Sequence, residues 1–291
     1  MASQKNTAGS STADQARERA RQIADREARK SNGKPKGLIA GIIALLLVIG
    51  LIIALVVWQN NKNTIPEAGP VPASANQYGG IQVNEAQILQ DTSDVDERDI
   101  NDVPEAPETV DESKTPPGVV NADEAKDNGE PVQLVVFQDF ECVHCADFEA
   151  EYGDQIEEKV KSGEVTLEHR NLNFLDRGSP DAYSSRAANA AYLVAEQVDP
   201  AQYLEFTKEV FSHQGTGGLS NDELAEIASK HGANVTADQL GENTYRPMVN
   251  LMAQESMANG IAGTPTMFVD GERVSQNDFE KGLNEALEAK K

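Results

Sequence analysis

The feature that most constrains this chain is a run of 22 residues without a charge, from Gly37 to Trp58. At about 1.5 Å of rise per residue, a helix of this length spans roughly 33 Å, the thickness of a bilayer's hydrocarbon core. A helix in a water-soluble protein normally keeps a polar face, and this run has none. The sequence therefore predicts one transmembrane helix over residues 37–58.

The charges on either side of the run predict its orientation. Residues 1–36 contain nine Lys and Arg against four Asp and Glu, whereas the first basic residues after the run are Lys62 and Arg98. Because basic flanks stay in the cytoplasm, we expect a cytoplasmic tail (1–36), a single-pass anchor in the cell membrane and an extracytoplasmic remainder. The alternative is a cleaved signal peptide, for which both the basic segment and the apolar run are long.

Residues 59–128 are acidic and interrupted by proline. Between residues 91 and 130 there are 14 acidic residues and three basic ones, a net charge of −11. Such a composition favours an extended, solvated chain. We therefore expect a flexible linker that lifts a domain off the membrane. Within it, apolar and polar residues alternate over Gly80–Leu89, which predicts a short strand or a docking segment that joins the folded domain.

Residues 129–291 are enough for one domain with a buried core. The sequence pattern predicts a strand, a helix and a second strand, followed by a long block of helices and then by a hairpin and a final helix. This order predicts an α/β sheet with an inserted helical subdomain at about residues 174–262. The predicted elements are a strand at Pro131–Asp139, a helix at Cys142–Lys161, a strand at Glu164–Asn171, helices at Asp181–Gln197, Ala201–His213, Asn221–Lys230 and Tyr245–Asn259, a hairpin of Thr266–Val269 and Glu272–Ser275 around Asp270-Gly271, and a helix at Asn277–Lys290.

Net charge and cysteine content exclude several functions. The chain carries 25 basic and 48 acidic residues, a formal net charge of −23, so no nucleic-acid partner is expected. Two cysteines exclude a disulfide-dense scaffold and a zinc site of four thiolates. His169, His213 and His231 form no recognised metal spacing with them. We therefore predict no metal site and no resident cofactor.

The chemistry is predicted at Cys142-Val-His-Cys145, where the first strand turns into a helix. A cysteine at the start of a helix faces unpaired backbone N–H groups and the positive end of the helix dipole, and both stabilise a thiolate. A cationic His144 would stabilise it further, whereas Asp139 and Glu141 oppose it. Cys145 lies one turn along, close enough for a disulfide with Cys142, and is expected to be less exposed.

A thiolate at Cys142 would make the disulfide with Cys145 a stronger oxidant, because it stabilises the reduced pair. The predicted extracytoplasmic side agrees, since disulfides form and persist there. A Cys-x-x-Cys motif alone also serves structural disulfides and metal sites. A structural bridge therefore stays an alternative, as does a soft metal such as Cu(I) bound by the two cysteines with or without His144.

A second motif is Gly263-Thr-Pro-Thr266, which begins the predicted hairpin. A proline that opens a strand lies at a sheet edge or adopts the cis form. Taken alone, this motif is most simply a trans proline at the start of a strand. In the same chain as a strand–Cys-x-x-Cys–helix unit, the cis form of Pro265 is the favoured interpretation.

Three features together resemble the DsbA-like branch of the thioredoxin superfamily, particularly its membrane-anchored members in Gram-positive actinobacteria. They are Val135-Val-Phe-Gln-Asp-Phe-Glu-Cys142-Val-His-Cys145, the helical block and the Gly-Thr-Pro-Thr motif. The similarity covers about residues 129–289. It implies a thioredoxin-like fold with a helical insertion, Cys142 as the exposed nucleophilic sulfur and Cys145 as the resolving one.

The resemblance also implies how a client protein binds. Pro265 would be cis and next to the active site, and the backbone of Thr264 would pair with an extended client segment by strand addition. His144 matches the histidine of the family motif, which argues for an oxidising enzyme.

Two positions depart from the family pattern. Val136 stands where thioredoxin-like enzymes often carry a buried acid, six residues before the first cysteine, so help with proton transfer at Cys145 must come from elsewhere. Val143 replaces the proline of the DsbA motif, so a redox potential cannot be transferred. Asp139 is interpreted either as a residue that tunes or positions the active turn, or as a simple acid at the end of a strand.

The leading hypothesis is a membrane-tethered extracytoplasmic thiol-disulfide oxidoreductase that forms disulfides in reduced or unfolded secreted proteins. The resemblance suggests that a quinone-linked membrane partner of the DsbB or vitamin-K-epoxide-reductase type reoxidises it. A disulfide isomerase or reductase of the same fold is the nearest alternative. The others are the metal-binding protein and a non-catalytic anchor or adhesion module with a permanently bridged cysteine pair.

Overall fold

The structure is a computed structural model that describes residues 12–31, 41, 43, 45–54, 64–89, 95–126 and 128–291. The chain divides into two compact units, Met1–Thr64 and Ile65–Lys291. In the first unit, helix α1 spans Thr12–Ser31 and residues 45–54 are helical. Among the described residues, no helix is both long and apolar enough to cross a bilayer. The predicted membrane helix, 37–58, lies partly outside them, at residues 37–40, 42, 44 and 55–58.

The second unit is built on a six-stranded sheet in the order β3-β2-β6-β5-β7-β8. Its two central strands, β5 and β6, are parallel, and every other neighbouring pair is antiparallel. A separate two-stranded sheet pairs β1 with β4. The strands are β1 Ala68–Pro70, β2 Ile81–Val83, β3 Ile88–Leu89, β4 Glu97–Asp99, β5 Val132–Gln138, β6 Val165–Asn171, β7 Thr266–Val269 and β8 Glu272–Val274.

Helices cover both faces of this sheet, which confirms the predicted α/β fold with inserted helices. Five helices, α4 to α8, lie between β6 and β7, within the range predicted for the insertion. The helices of the second unit are α2 Ala122–Ala125, α3 Val143–Lys161, α4 Tyr183–Ala195, α5 Pro200–Ser212, α6 Asn221–Lys230, α7 Ala237–Gly241, α8 Arg246–Ala258 and α9 Phe279–Ala289.

Residues 134–137 of strand β5 form a continuous apolar run because both faces of the strand are covered. Leu134 and Val136 contribute to a large core with α3, α4, α5 and α9, whereas Val135 and Phe137 contribute to a smaller core with α8. Side chains of a strand alternate between faces, so these four residues fill both cores. The strand therefore ends at a fixed place near the centre of the six-stranded sheet, where the Cys-x-x-Cys motif follows.

Local sequence explains several element boundaries. Helix α5 begins with a capping box, in which the carboxylate of Asp199 accepts from the N–H of Gln202 (2.9 Å) and Pro200 takes the first helical position. The predicted hairpin turn forms at Asp270 and Gly271, whose φ angles are 45° and 83°. Positive φ at both residues is what a tight two-residue hairpin turn requires.

The prediction of an extended linker over residues 59–128 is wrong for its described part. Ile81 and Val83 are fully buried, and β2 pairs with β6 of the main sheet. The strand or docking segment expected at Gly80–Leu89 is thus confirmed. Further along, Arg98 makes two hydrogen bonds of 3.0 Å to the carboxylate of Glu255 on α8. The burial of Ile81 and Val83 and the pairing of β2 with β6 stabilise this segment on the domain despite the repulsion among its acidic side chains.

A buried ion pair holds this segment on the domain. Arg170 of β6 lies 2.6 Å from Glu168, and the two side chains are 3% and 1% exposed. The Arg170 guanidinium also donates to the carbonyl of Pro117 (2.8 Å) and lies 5.6 Å from the ring of Tyr78. Both contacts come from the segment predicted to be a linker, so the compact domain begins well before residue 129.

Candidate active site

The two cysteines lie where β5 ends and α3 begins, as predicted. The prediction made Cys142 the first helical residue, whereas the structure makes it the N-cap of α3, with extended backbone angles, and the helix begins one position later, at Val143. The carbonyl of Cys142 accepts from the N–H groups of Cys145 and Ala146, both at 3.1 Å. Its own N–H donates to the carbonyl of Asp139 (2.9 Å), which closes the turn between strand and helix. The sulfur of Cys142 is thereby held at the positive end of the helix.

The surroundings of Cys142 lower the pKa of its thiol from 9.0 to about 5. The largest contribution is a hydrogen bond from the thiol of Cys145, followed by one from the side chain of Thr264 and those from the backbone N–H groups of Cys145 and His144. Burial opposes the shift without cancelling it. A thiolate is therefore the stable form of Cys142 at neutral pH.

Cys145 has the opposite behaviour. Burial, together with its position beside the Cys142 sulfur, raises the pKa of its thiol well above 9.0. The two residues are 6% and 2% exposed, so Cys145 is the less accessible one, as expected. The expectation of an exposed Cys142 is wrong in degree, because its side chain packs against the loop that carries Thr264. The pair therefore combines one ionised and one protonated sulfur.

The loop before β7 brings the second motif to the cysteines. The Cys142 sulfur lies 3.3 Å from the backbone carbonyl oxygen of Thr264, to which Cys142 donates a hydrogen bond only in its protonated thiol form. The Thr264–Pro265 peptide bond is cis, as predicted. Residues 264–266 are half-buried, so their backbone lies at the edge of the site next to the reactive sulfur. This is the placement that client binding by strand addition needs.

The side chain of His144 lies in solvent, and its predicted support of the thiolate as a cation stays a prediction. Its side chain is 72% exposed, and its nearest charged partner is the carboxylate of Asp147, 3.8 Å from Nδ1. The contribution of His144 to the low pKa of Cys142 comes from its backbone N–H. The helix start therefore stabilises the thiolate through its main chain, as helix N-termini generally do.

Asp139 is fully buried directly before the active turn. Its carboxylate accepts hydrogen bonds from the N–H of Glu141 (2.9 Å), the N–H of Leu175 (3.0 Å) and the hydroxyl of Ser184 (2.5 Å). Burial raises the pKa of this carboxyl from 3.8 to about 6, and the three hydrogen bonds oppose that shift. The interpretation of Asp139 as a simple strand-end acid is thus wrong, because its side chain joins three separate segments.

The sequence did not reveal the partners of Asp139. Leu175 lies in a 3-10 turn and Ser184 in α4, 36 and 45 residues away along the chain. A further contact runs from the side chain of Gln214 to the carbonyl of Glu141 (2.7 Å). Leucine, serine and glutamine are common residues without a spacing signal, so only the folded chain brings them to the turn.

The remaining candidates lie away from the cysteines. Val136 is buried in the large core, so an apolar side chain occupies the position where many thioredoxin-like enzymes carry an acid. His169 is buried and lies 3.2 Å from the hydroxyl of Tyr203, whereas His231 lies 2.6 Å from the carboxylate of Glu209. Among the residues that the structure describes, no group of three or more His, Cys, Asp or Glu could bind a metal ion.

The match to a family model decides the classification. A model described as "Thioredoxin" matches residues 127–289, more than half of the chain. The chain belongs to the thioredoxin family. Within this family, the protein is 26% identical over 171 residues to disulfide bond formation protein D of Bacillus subtilis, which covers 54% of this chain and 72% of that protein.

The chain is also similar to part of a curated kinase and to a solved structure. The serine/threonine-protein kinase PknE of Mycobacterium tuberculosis is 32% identical over 114 residues, and the chain spans only 20% of the kinase's length. Among solved structures, a thiol-disulfide oxidoreductase of Corynebacterium diphtheriae, MdbA, is similar with a TM-score of 0.48 and 24% identity, over 54% of this chain and 83% of that one. The predicted resemblance to the thioredoxin superfamily is confirmed by the family model.

Proposed function

We propose that this protein is a membrane-tethered, extracytoplasmic thiol-disulfide oxidoreductase that forms disulfide bonds in secreted proteins. The observation that carries the proposal is the opposite behaviour of the two thiols: the pKa of Cys142 is lowered to about 5, and that of Cys145 is raised well above 9.0. Agreement in enzyme class comes from the relatives named for disulfide formation and thiol-disulfide exchange.

The reaction follows from these two thiols. In the oxidised protein, a client thiolate attacks the sulfur of Cys142, so the Cys142–Cys145 bond breaks and a mixed disulfide forms. Cys145 leaves as a thiolate and takes up a proton, because its thiol form is strongly favoured. A second client thiolate then attacks the client sulfur of the mixed disulfide. Cys142 leaves as a stable thiolate, and the client has lost two electrons to the cysteine pair.

The low pKa of Cys142 also favours the oxidising direction. Thioredoxin's attacking cysteine has a pKa of about 7 and the protein a potential of about −270 mV. A pKa of about 5 is two units lower, and each unit corresponds to about 30 mV for this two-electron couple. We therefore expect a potential of about −210 mV or less negative, and a value near −270 mV would instead favour the reductase.

Client binding would use the loop at Thr264 and Pro265. The carbonyl of Thr264 lies next to the Cys142 sulfur, so a client strand that pairs with this backbone would present its cysteine to the reactive atom. Main-chain pairing accepts many sequences, which suits an enzyme that acts on many unfolded clients.

Membrane tethering rests on the uncharged run at residues 37–58, and the extracytoplasmic orientation on the basic residues before it. We propose that the two electrons leave the reduced pair through a quinone-linked membrane protein of the DsbB or vitamin-K-epoxide-reductase type. Proteolysis of intact protoplasts tests the topology: residues 65–291 should be digested from outside, and complete protection would contradict the orientation.

The enzymatic test uses the full-length chain in detergent, with its cysteine pair oxidised, and a client protein that has disulfides when folded but has been reduced and unfolded. The wild type should oxidise the client stoichiometrically, and Cys142→Ala should be inactive. When the client is supplied with its disulfides formed, Cys145→Ala should accumulate a mixed disulfide, because the Cys142 thiolate attacks a client disulfide and releases one client thiolate, and no second enzyme sulfur is present to break the new bond. Oxidation of the client by Cys142→Ala would show that the proposal is wrong.

A further inference from the structure

The buried carboxylate of Asp139 connects the active turn to the helical insertion. One of its hydrogen bonds stays within the turn, at the N–H of Glu141 (2.9 Å). The other two reach the insertion, at the N–H of Leu175 (3.0 Å) and the hydroxyl of Ser184 (2.5 Å). The carbonyl of Glu141 receives a further bond from Gln214 (2.7 Å), so the insertion contacts the turn at two successive points.

The backbone of Asp139 contacts both cysteines. Its carbonyl accepts from the N–H of Cys142 (2.9 Å), and a hydrogen bond from its backbone favours the charged form of Cys145. The side chain therefore fixes a segment of main chain whose polar groups face the two reacting residues. Movement of Asp139 would displace the main chain of Cys142, and with it the position of the Cys142 sulfur relative to the N–H groups of His144 and Cys145 that stabilise the thiolate.

Packing alone does not explain a carboxylate at this position. A fully buried carboxylate loses its hydration, and all three groups that donate to it here are uncharged. The nearby carboxylate of Asp176 adds repulsion and further raises the pKa of Asp139. The carboxylate is nevertheless the group that accepts three hydrogen bonds in these directions, since an amide would point N–H groups at one of its donors.

We propose that Asp139 is a positioning residue, whose carboxylate holds the active turn against the helical insertion and so stabilises the thiolate of Cys142. This deepens the proposed function, because it names the group that keeps the reactive thiol activated. The role does not depend on the identity of the client or on the direction of electron flow.

The test is the pKa of Cys142 in the reduced full-length protein, measured from the pH dependence of its alkylation rate. Ser184→Ala removes one hydrogen bond to Asp139 and leaves every charge in place. We expect it to raise the pKa of Cys142 by about 0.5–1 unit. Ser184→Thr keeps a hydroxyl and should restore the wild-type value.

Ser185→Ala is the matched control. Ser185 is the next residue of α4 and is also buried, but its hydroxyl binds Asp176 instead of Asp139. It should leave the pKa of Cys142 unchanged. Equal alkylation profiles for wild type, Ser184→Ala and Ser185→Ala would overturn the proposal, as would equal shifts in the two alanine variants, which would indicate a general loosening of α4.

A second pair of variants separates position from charge. Asp139→Asn and Asp147→Asn each remove one negative charge near Cys142, but Asp147 is exposed on α3 and does not bind the turn. Loss of a negative charge alone lowers the pKa of a neighbouring thiol. We expect Asp147→Asn to leave it unchanged or lower it, and Asp139→Asn to raise it. A lowered pKa in both would contradict a positioning role.

These measurements are independent of turnover. A chain without oxidase activity would disprove the proposed function and would still show the shift in Ser184→Ala. Conversely, an active oxidase with the same Cys142 pKa in wild type and Ser184→Ala would disprove only the role of Asp139.

Discussion

Replacing Cys145 with alanine tests the source of the low pKa of Cys142. The Cys145 thiol makes the largest contribution to the shift from 9.0 to about 5. A hydrogen bond to a charged group is worth about 1.5–3 kcal/mol, and one pKa unit corresponds to about 1.4 kcal/mol. Cys145→Ala should therefore raise the pKa of Cys142 by about 1–2 units, to about 6–7.

The variant is convenient to assay, because Cys142 is then the only thiol in the chain. Its ionisation can be followed by the ultraviolet absorbance of the thiolate and by the rate of alkylation as the pH is raised. Cys145→Ser is the matched control, since its hydroxyl can still donate to the thiolate. It should keep the pKa of Cys142 within about half a unit of the wild-type value.

Two results would refute this reasoning. An unchanged pKa in Cys145→Ala would mean that the backbone N–H groups of the helix start and Thr264 stabilise the thiolate without the Cys145 thiol. Equal increases in the alanine and serine variants would mean that the substitutions disturb the turn and do not report on a hydrogen bond. In both cases the hydrogen bond from the Cys145 thiol would not be the main cause of the low pKa of Cys142.

Two further predictions concern Cys142, and a third concerns the buried ion pair of β6. His144→Ala keeps the backbone N–H and should change the pKa of Cys142 less than Cys145→Ala does, whereas His144→Pro removes that N–H and should raise it, as alkylation rates will show. The pKa of Cys142 is lower in the folded than in the unfolded state, so the thiolate stabilises the reduced protein at pH 9 and this stabilisation is lost as the pH falls to about 5. A shift of four pKa units would amount to about 5 kcal/mol, and solvent at the site reduces this value. In urea unfolding, the free energy of unfolding of the reduced wild type should therefore rise between pH 5 and pH 9 by about 2–3 kcal/mol more than that of Cys142→Ser does. Arg170→Leu leaves the buried carboxylate of Glu168 unpaired and should lower the free energy of unfolding by about 3–5 kcal/mol, of which a second change, Glu168→Gln, should restore a part; a loss below about 1 kcal/mol would contradict a buried pair.

The elements of the domain could be predicted because their signals are local. The apolar run that became β5, the helical pattern after Cys142 and the hairpin turn at Asp270 each depend on neighbours within a few residues. The acidic segment before residue 129 could not be judged in this way. Its average charge predicted an extended chain, but Ile81 and Val83 are buried and belong to β2, which pairs with β6.

The sequence by itself determined where the chemistry lies: a cysteine at the start of a helix, a second one turn later, and a proline motif before a strand. Only the tertiary structure decided how far the pKa values of the two thiols are shifted. Thr264 reaches Cys142 across 122 residues of chain, and Asp139 is held by groups 36 and 45 residues away. The pKa of a thiol depends on the atoms around it in space, and packing of distant segments fixes those atoms.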